Sequence, residues 1–371
     1  MSSGGTNTTH TLQERYSSLV LAKIRQELVL KDGVIFNNDY EGSPKAGSVK
    51  IPVRDDEVAV SDYDRANGIS VKHGSTAYIT MVIDKEKAVN ELIDGYDAEL
   101  VPDDLVADRL DSAGYSLARQ QDIDGATVLL AGATVINTAK LSESTIYSAI
   151  VDVRTQMSKD NIPNDGKRYI LATPETYSLI IKAPEFIKAS DLGDKVVQDG
   201  IMGRIAGFNI IEWNDNTAGL AFIAGHPKFA TRAEEFSVPV HIQDLNGSGD
   251  YIGASAVQGR MVYAHKVLRS VAVKAVYAPG SVTASLAAAS DKGKTTVTVT
   301  DHGTDTLAYK LNPSSRIAYG TTSSAYAGTA ITGGTADISV KEGNVIEVAE
   351  FKDGSCVKVG YYTVKASDIK A

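Results

Sequence analysis

From Phe36 to about Asp84 the chain alternates apolar and polar residues, and it offers no apolar face broad enough to make a core of its own. Val49, Ile51 and Val53 alternate with Ser48, Lys50 and Pro52; Val58 and Val60 repeat that spacing, and Tyr78-Ile-Thr-Met-Val-Ile83 is a β-rich run. The turn-forming stretches Gly42-Ser-Pro-Lys-Ala-Gly47 and Asp62-Tyr-Asp-Arg-Ala-Asn-Gly68 lie among them. This pattern predicts a long, polar, two-stranded excursion. A bare hairpin is marginal in water because nothing covers its apolar side. The element makes physical sense where a neighbouring subunit supplies that cover.

The excursion is flanked by helical patterns. Leu12, Tyr16, Leu19, Val20, Ile24, Leu28 and Leu30 recur at spacings of three and four, which predicts an amphipathic helix from Thr11, a candidate N-cap, to Leu30, stopped by Asp32-Gly33. A long helix is expected from about Asp103 to Leu130, with Val106, Leu110, Ala113, Leu117 and Leu129 as its stripe. Pro102, Asp103 and Asp104 suit its positive N-terminal end, and Gly114 weakens it.

From Leu141 to Tyr277 strands and helices mix without a regular βα repeat, an α+β pattern. Ser142 can cap a helix with the stripe Ile146, Ile150, Val153 and Met157, ended by Asn161 and Pro163. Arg168–Thr173 reads as a strand and Thr173-Pro174-Glu175 as the next helix start. Leu220–Ala224 and the stretch Val257 to Val276 read as further strands. At Ala278-Pro-Gly-Ser281 the composition turns rich in Thr, Ser, Gly and Val, with short alternating runs such as Thr295–Thr300 and Val345–Ala349. The expectation is a small all-β sandwich, immunoglobulin-like in architecture, without the Cys–Trp–Cys signature of antibody domains.

Length and charge narrow the function. A chain of 371 residues exceeds one ordinary core, so two domains are expected from length. Cys356 is the only cysteine, which excludes an intrachain disulfide and a thiolate metal cluster and fits a reducing cytoplasm. No run approaches the roughly 20 apolar residues that span a bilayer, and Met1–His10 has no secretory character and reads as a flexible arm. The net charge is −9, and Ser281–Ala371 contributes none of it, with nine basic and nine acidic residues. Such a surface does not grip nucleic acid through its phosphates, although it can enclose DNA without adhering.

No catalytic, cofactor-binding or metal residue is expected. His10, His73, His226, His241, His265 and His302 are scattered, with no metal-ligand spacing. Gly293-Lys294-Thr295 has the end of a phosphate loop but carries Ala288 at the first glycine and is followed by β-rich sequence, so it reads as a hairpin turn. Asp244-Leu-Asn-Gly-Ser-Gly249 begins like a calcium loop but has Ser255 where a bidentate glutamate is required. Gly200, Gly203 and Gly207 precede strands and read as turns. Asp103 and Asp104 suit a solvated helix face, and Lys45 and Lys50 a solvated loop.

Several phrases, in order, resemble the major capsid proteins of tailed bacteriophages, of the Hong Kong ninety-seven type fold. They are Ile83-Asp-Lys-Glu-Lys-Ala88, Leu117-Ala-Arg-Gln120, Ala172-Thr-Pro-Glu-Thr-Tyr177, Asp199-Gly-Ile-Met-Gly-Arg-Ile-Ala-Gly-Phe208, Ala224-Gly-His-Pro-Lys-Phe-Ala230 and Val257-Gln-Gly-Arg-Met-Val-Tyr-Ala264. The likeness runs from about Leu12 to Tyr277 and leaves the C-terminal β region as an added module. It implies an N-terminal arm (1–37), an extended loop over a neighbouring subunit (38–83) and a peripheral domain with a spine helix (84–140). An axial domain (141–256), a return to the periphery (257–279) and the immunoglobulin-like domain (280–371) follow.

The resemblance further implies self-assembly through hexamers and pentamers into an icosahedral shell around double-stranded DNA, held without sequence-specific binding. A separate scaffolding protein and a portal would be partners, with no enzyme activity, no cofactor and no membrane. The protein would reside in the virion capsid, and in the host cytoplasm before assembly. No motif supports the lysine–asparagine crosslink of some relatives, so none is assigned to Lys45 or Lys50. A surface adhesion module displaying its β-sandwich, a cellular nanocompartment shell and a hydrolase with residues on several loops stay open as other readings.

Overall fold

A computed structural model of the chain describes residue 23 and residues 25–40, 47–53, 60–69, 76–100, 105–184, 203–246 and 251–370. Strands β1 (Ser48–Val53) and β2 (Ala77–Val82) pair antiparallel, from Ser48 opposite Val82 to Val53 opposite Ala77. β3 (Lys85–Asp94) leads through the short helix α1 (Gly95–Leu100) to the long helix α2 (Leu105–Gly132). Ala113, Leu117, Gln121, Gly125, Ala126 and Leu129 are buried along α2, the spacing of three and four that one helix face requires. Its expected start at Pro102, Asp103 and Asp104 lies outside the described residues.

Under α2 lies a three-stranded antiparallel sheet in the order β3, β10 (Ala254–Val267), β9 (Ala230–Asp244). Gly259 of β10 is the seat. A Cβ there would stand 2.8 Å from Val240 Cγ2 and 3.1 Å from Leu117 Cδ1, closer than side chains pack. Ile93, Ala113 and Val257 form the small core between helix and sheet.

The second sheet has six strands in the order β4 (Thr134–Asn137), β11 (Lys274–Tyr277), β8 (Leu220–Gly225), β5 (Tyr169–Ala172), β7 (Phe208–Glu212) and β6 (Arg204–Ile205). β4–β11 and β5–β7 run parallel, and the other pairs run antiparallel. All four residues of β5 and all six of β8 are buried, so both faces need cover. Helices α3 (Ile146–Lys159) and α4 (Pro174–Ile181) pack Ile146, Ile150, Met157 and Ile180 against Ile170, Ala172 and Phe222 on one face. The end of α2 and the N-terminal segment pack Leu129, Leu30, Ile35 and Phe36 with Tyr169, Leu171 and Ile223 on the other.

The C-terminal region folds as two facing sheets. β12 (Gly280–Ser281), β19 (Ser355–Thr363), β18 (Val345–Lys352), β15 (Thr306–Leu311) and β16 (Thr329–Ile331) make one; β13 (Ala284–Ala288), β14 (Lys294–Val299) and β17 (Thr335–Ser339) make the other. Val297, Val299 and Ile338 meet Leu307, Ile346 and Val348 between them. The outer face of the larger sheet is covered as well. Residues 312–328, with the short helix α5 (Ser323–Tyr326), lay Ile317 and Tyr326 on Ala349, Phe351 and Cys356.

Three expectations change. The helix expected from Thr11 to Leu30 lies largely outside the described residues, and residues 25–30 carry no helix. Their backbone is engaged by other elements: the N–H groups of Val29 and Leu30 donate to the Asp122 carboxylate of α2. The strand expected through Val257–Val276 is two strands in two sheets, broken by a 3₁₀ turn at Ser270–Ala272. Alternation alone does not register such a change of partner. The helix expected to be capped by Ser142 begins instead at Ile146 after Thr145, and the Ser142 carbonyl accepts the N–H groups of both.

The tight seat at Gly259 makes a test. Gly259→Ala should lower stability by about 1–3 kcal/mol, the usual cost of overpacking, read from urea unfolding midpoints. Adding Val240→Ala should recover part of that loss, because it removes the nearest clashing methyl.

Candidate assembly surfaces

The N-terminal segment is strapped along α2 by polar contacts at its outer end and apolar ones at its inner end. Lys23 Nζ lies 2.7 Å from Asp108, and Arg25 lies 2.5 Å from Asp111 with its guanidinium 4.9 Å over the Tyr115 ring. The Arg25–Asp111 hydrogen bond holds the arginine above and the carboxyl below their ordinary ranges. Tyr115 Oη donates to the Gln26 carbonyl at 2.9 Å, and Gln26 Nε2 donates to the Asn214 carbonyl at 2.5 Å. Burial pushes the Asp122 carboxyl up against the opposing pull of the Leu30 N–H. Further in, Asp32 pairs with Arg232 at 2.5 Å, and the Asn37 backbone bonds in both directions with β9.

The β1–β2 hairpin is only half covered. On its inner face Ile51 and Met81 pack against Ala233 and Ala264 of β9 and β10. On its outer face Lys50 stands opposite Thr80 and Pro52 opposite Tyr78, with Tyr78 63% and Val82 58% exposed. Toward the tip Val60, Tyr63 and Ile69 are also exposed, and Asp64 Oδ1 and Oδ2 close a turn by accepting from Ala66 N–H and Asn67 Nδ2. Residues 54–59 and 70–75, and the stretch Gly42–Gly47 apart from Gly47, lie outside the described residues.

The far face of the sheet below α2 is covered by the hairpin only at Ala233 and Ala264, and beyond that it carries exposed side chains. Arg260 forms an ion pair with Glu86 and lies 5.5 Å over the exposed Phe236 ring. On the α2 side, Arg109 grips Glu91 at 2.5 Å, and Tyr263 Oη donates to Asp124 at 2.8 Å. His265 sits among Phe36, Tyr263 and Gly125, with neither ring nitrogen hydrogen-bonded. Burial, with the Arg232 charge nearby, pulls its pKa down to about 4.

Among the described residues, those flagged by sequence do not converge on a reactive centre. His226 is buried; its Nδ1 accepts from Lys228 N–H and its Nε2 donates to Asp165 at 3.0 Å, which holds that carboxyl low. His241 lies on β9 and His302 in the C-terminal region, while His10 and His73 lie outside the described residues. Lys294 pairs with Asp291 at 2.7 Å and, with the left-handed Gly293, closes the β13–β14 hairpin. Asp244 Oδ1 accepts from Asn246 N–H and Asn246 Oδ1 accepts from Gly253 N–H, so that loop spends its oxygens on backbone; residues 247–249 lie outside the described set. Ala206 and Gly207, both at positive φ, make the tight β6–β7 turn; Gly203 precedes it, and Gly200 lies outside the described residues. The buried Cys356 thiol is pushed up to about 12, and Lys45 lies outside the described residues. Among the described residues no three His, Cys, Asp or Glu side chains group to hold a metal.

Sequence reading missed the strap entirely, because Arg25 and Asp111 stand 86 positions apart with no local signal joining them. What these elements offer is surface: a strap, a half-covered hairpin and a partly covered sheet face.

Residues 93–283 match the family described as phage capsid protein. No curated protein sequence matches the chain. Among solved structures it is similar to one from Mycobacterium phage Che8, at 22% identity and a TM-score of 0.61, over 72% of this chain and 98% of that one. The capsid of cyanophage P-SCSP1u gives 15% identity and a TM-score of 0.62, over 73% and 94%. The capsid of a native GTA particle gives 13% and 0.53, over 72% and 95%. At these identities the likeness to solved structures is one of fold.

The buried His265 sets an acid limit. Because its folded pKa of about 4 lies below the unfolded value near 6.5, the unfolded chain binds more protons between these limits. Its contribution is complete above pH 6.5 and is lost as pH falls toward 4. His265→Leu should remove about 3 kcal/mol of the stability lost between pH 7 and pH 4, measured by urea unfolding at both pH values.

Proposed function

This chain belongs to the phage capsid protein family, and from that premise we infer that its copies assemble into an icosahedral shell enclosing double-stranded DNA. The protein is a structural major capsid protein of the virion. The observation that carries the assembly reading is the hairpin, whose base packs on its own chain while Tyr78, Val82 and the residues toward the tip stay uncovered. Apolar side chains held out on a two-stranded arm find cover on another copy, and a patch meeting a different patch on the next copy builds rings.

The proposed domains keep the order read from sequence: arm 1–37, extended loop 38–83, peripheral domain 84–140 with 257–279, axial domain 141–256, and an immunoglobulin-like domain at 280–371. α2 with its three-stranded sheet supports the peripheral assignment, and the six-stranded sheet with α3 and α4 supports the axial one. The family match ends at residue 283, at the start of the C-terminal sheets, which supports an added module. Two facing β-sheets of five and three strands support the immunoglobulin-like reading. We assign this module to the outer surface, since a compact, charge-balanced domain inside would compete with DNA for volume. A separate scaffolding protein and a portal complete the assembly, which begins in the host cytoplasm. The acidic body holds DNA without sequence-specific binding.

Expressed with its scaffold, the chain should form particles tens of nanometres across in negative-stain micrographs. Replacing Tyr78 and Val82 together by serine should abolish particles while leaving the circular dichroism of the subunit unchanged. Monomers from the parent chain under all conditions would refute the reading. On intact particles, protease should remove residues 280–371 without releasing DNA; protection of that segment would place it inside.

A further inference from the structure

Only Ala278 and Pro279 lie between β11 of the body and β12 of the C-terminal module. β12 already belongs to the module, paired parallel with β19, so those two residues are the covalent hinge. The Ala278 N–H donates to the Gly219 carbonyl at 2.9 Å. Beside the hinge lies an open cleft of about 760 Å³, lined by Lys140, Glu175, Asp215, Asp305, Lys352 and Lys358 among others. Across it Lys140 Nζ donates to the Val359 carbonyl of β19 at 3.4 Å, but one long hydrogen bond and charges of both signs facing a gap supply little adhesion, so the main fastening lies elsewhere.

The fastening comes from residues 312–322, the connection between β15 and α5. It is anchored to the module independently: Ile317 N–H donates to Glu347 Oε2 at 3.2 Å, and Gly320 N–H donates to the Cys356 carbonyl at 2.9 Å. From there Tyr319 reaches back to the body. Its ring stacks on Tyr277, with centroids 5.5 Å apart and planes at 24°. It also lies directly over Gly219, where a Cβ would overlap the phenol and where φ is +74°. Its Oη donates to the Ala218 carbonyl at 3.2 Å, and its N–H donates to the Thr138 carbonyl at 3.0 Å. Next to it Ala318 bridges Ala139 beyond the edge strand β4.

We propose that Tyr319 is a latch: its ring, clamped between Tyr277 and the bare backbone of Gly219, holds the C-terminal module in one orientation on the body. With the ring withdrawn, the module turns about Ala278-Pro279 and the cleft opens. The orientation of every module copy is thereby set within its own subunit and needs no neighbour. The latch also ties residues 138–139, beyond an edge strand, to residues 318–319.

Hydrogen exchange on the full chain tests this. In Tyr319→Ala, peptides covering 136–141 and 214–220 should exchange about tenfold faster, while β5 and β14 keep their protection. Tyr319→Phe, which keeps the stacked ring, should stay within about twofold of the parent. Unchanged junction exchange in Tyr319→Ala would overturn the latch. So would loss of protection throughout β14 to β19, which would make Tyr319 part of the module's own core. A Tyr319→Phe variant as fast as Tyr319→Ala would overturn the ring as the fastening element.

Discussion

The two-sided burial of β5 and β8 is the constraint on which the rest of the body depends. Strands without a solvent face read as continuous apolar runs and must be covered above and below. One cover, α3 with α4, comes from the same stretch of chain as the strands. The other is assembled from two distant pieces, the C-terminal turns of α2 and the segment containing Leu30, Ile35 and Phe36. Burying one such side chain contributes about 1.5–3 kcal/mol, so the inner end of the strap is part of the core. Its outer end, around Lys23 and Arg25, is held by exposed ion pairs of the kind that contribute little.

This division gives the subunit a graded anatomy. Packing is dense at the six-stranded sheet and thins outward along α2 and the β3–β10–β9 sheet to the half-covered hairpin. A shell subunit needs such a gradient, because the parts that meet neighbours cannot be satisfied within one chain. The C-terminal sheets have their own core between them, and Tyr319, Ala318 and the Lys140–Val359 hydrogen bond are among the contacts that join them to the body.

Much of the fold was legible because it repeats a period. The stripe on α2, the stripe Ile146, Ile150, Val153 and Met157 on α3, the β1–β2 pairing and the short alternating runs of the C-terminal sheets all announce themselves locally. The illegible parts are choices of partner. Leu28 follows Ile24 at the helical interval of four, yet residues 25–30 run as irregular chain because Asp122 and the groove beside Trp213 claim them. The β10–β11 boundary is hidden because both strands alternate alike, and only the turn at Ser270–Ala272 sends the second into another sheet. Of the assembly surfaces, the polar hairpin was visible, while the strap and the partly covered face of the sheet were not.

By itself, then, the sequence determined the α+β character of the body, the spine helix, the exposed hairpin and the change of architecture at Ala278–Ser281, since periodicity and composition act over a few residues. Tertiary structure alone decided which strands share a sheet, that the N-terminal segment roofs β5 and β8, and that Tyr319 meets Tyr277 and Gly219. Those outcomes rest on contacts between residues tens to hundreds of positions apart, whose free energy exists only once the intervening chain has folded and brought them together.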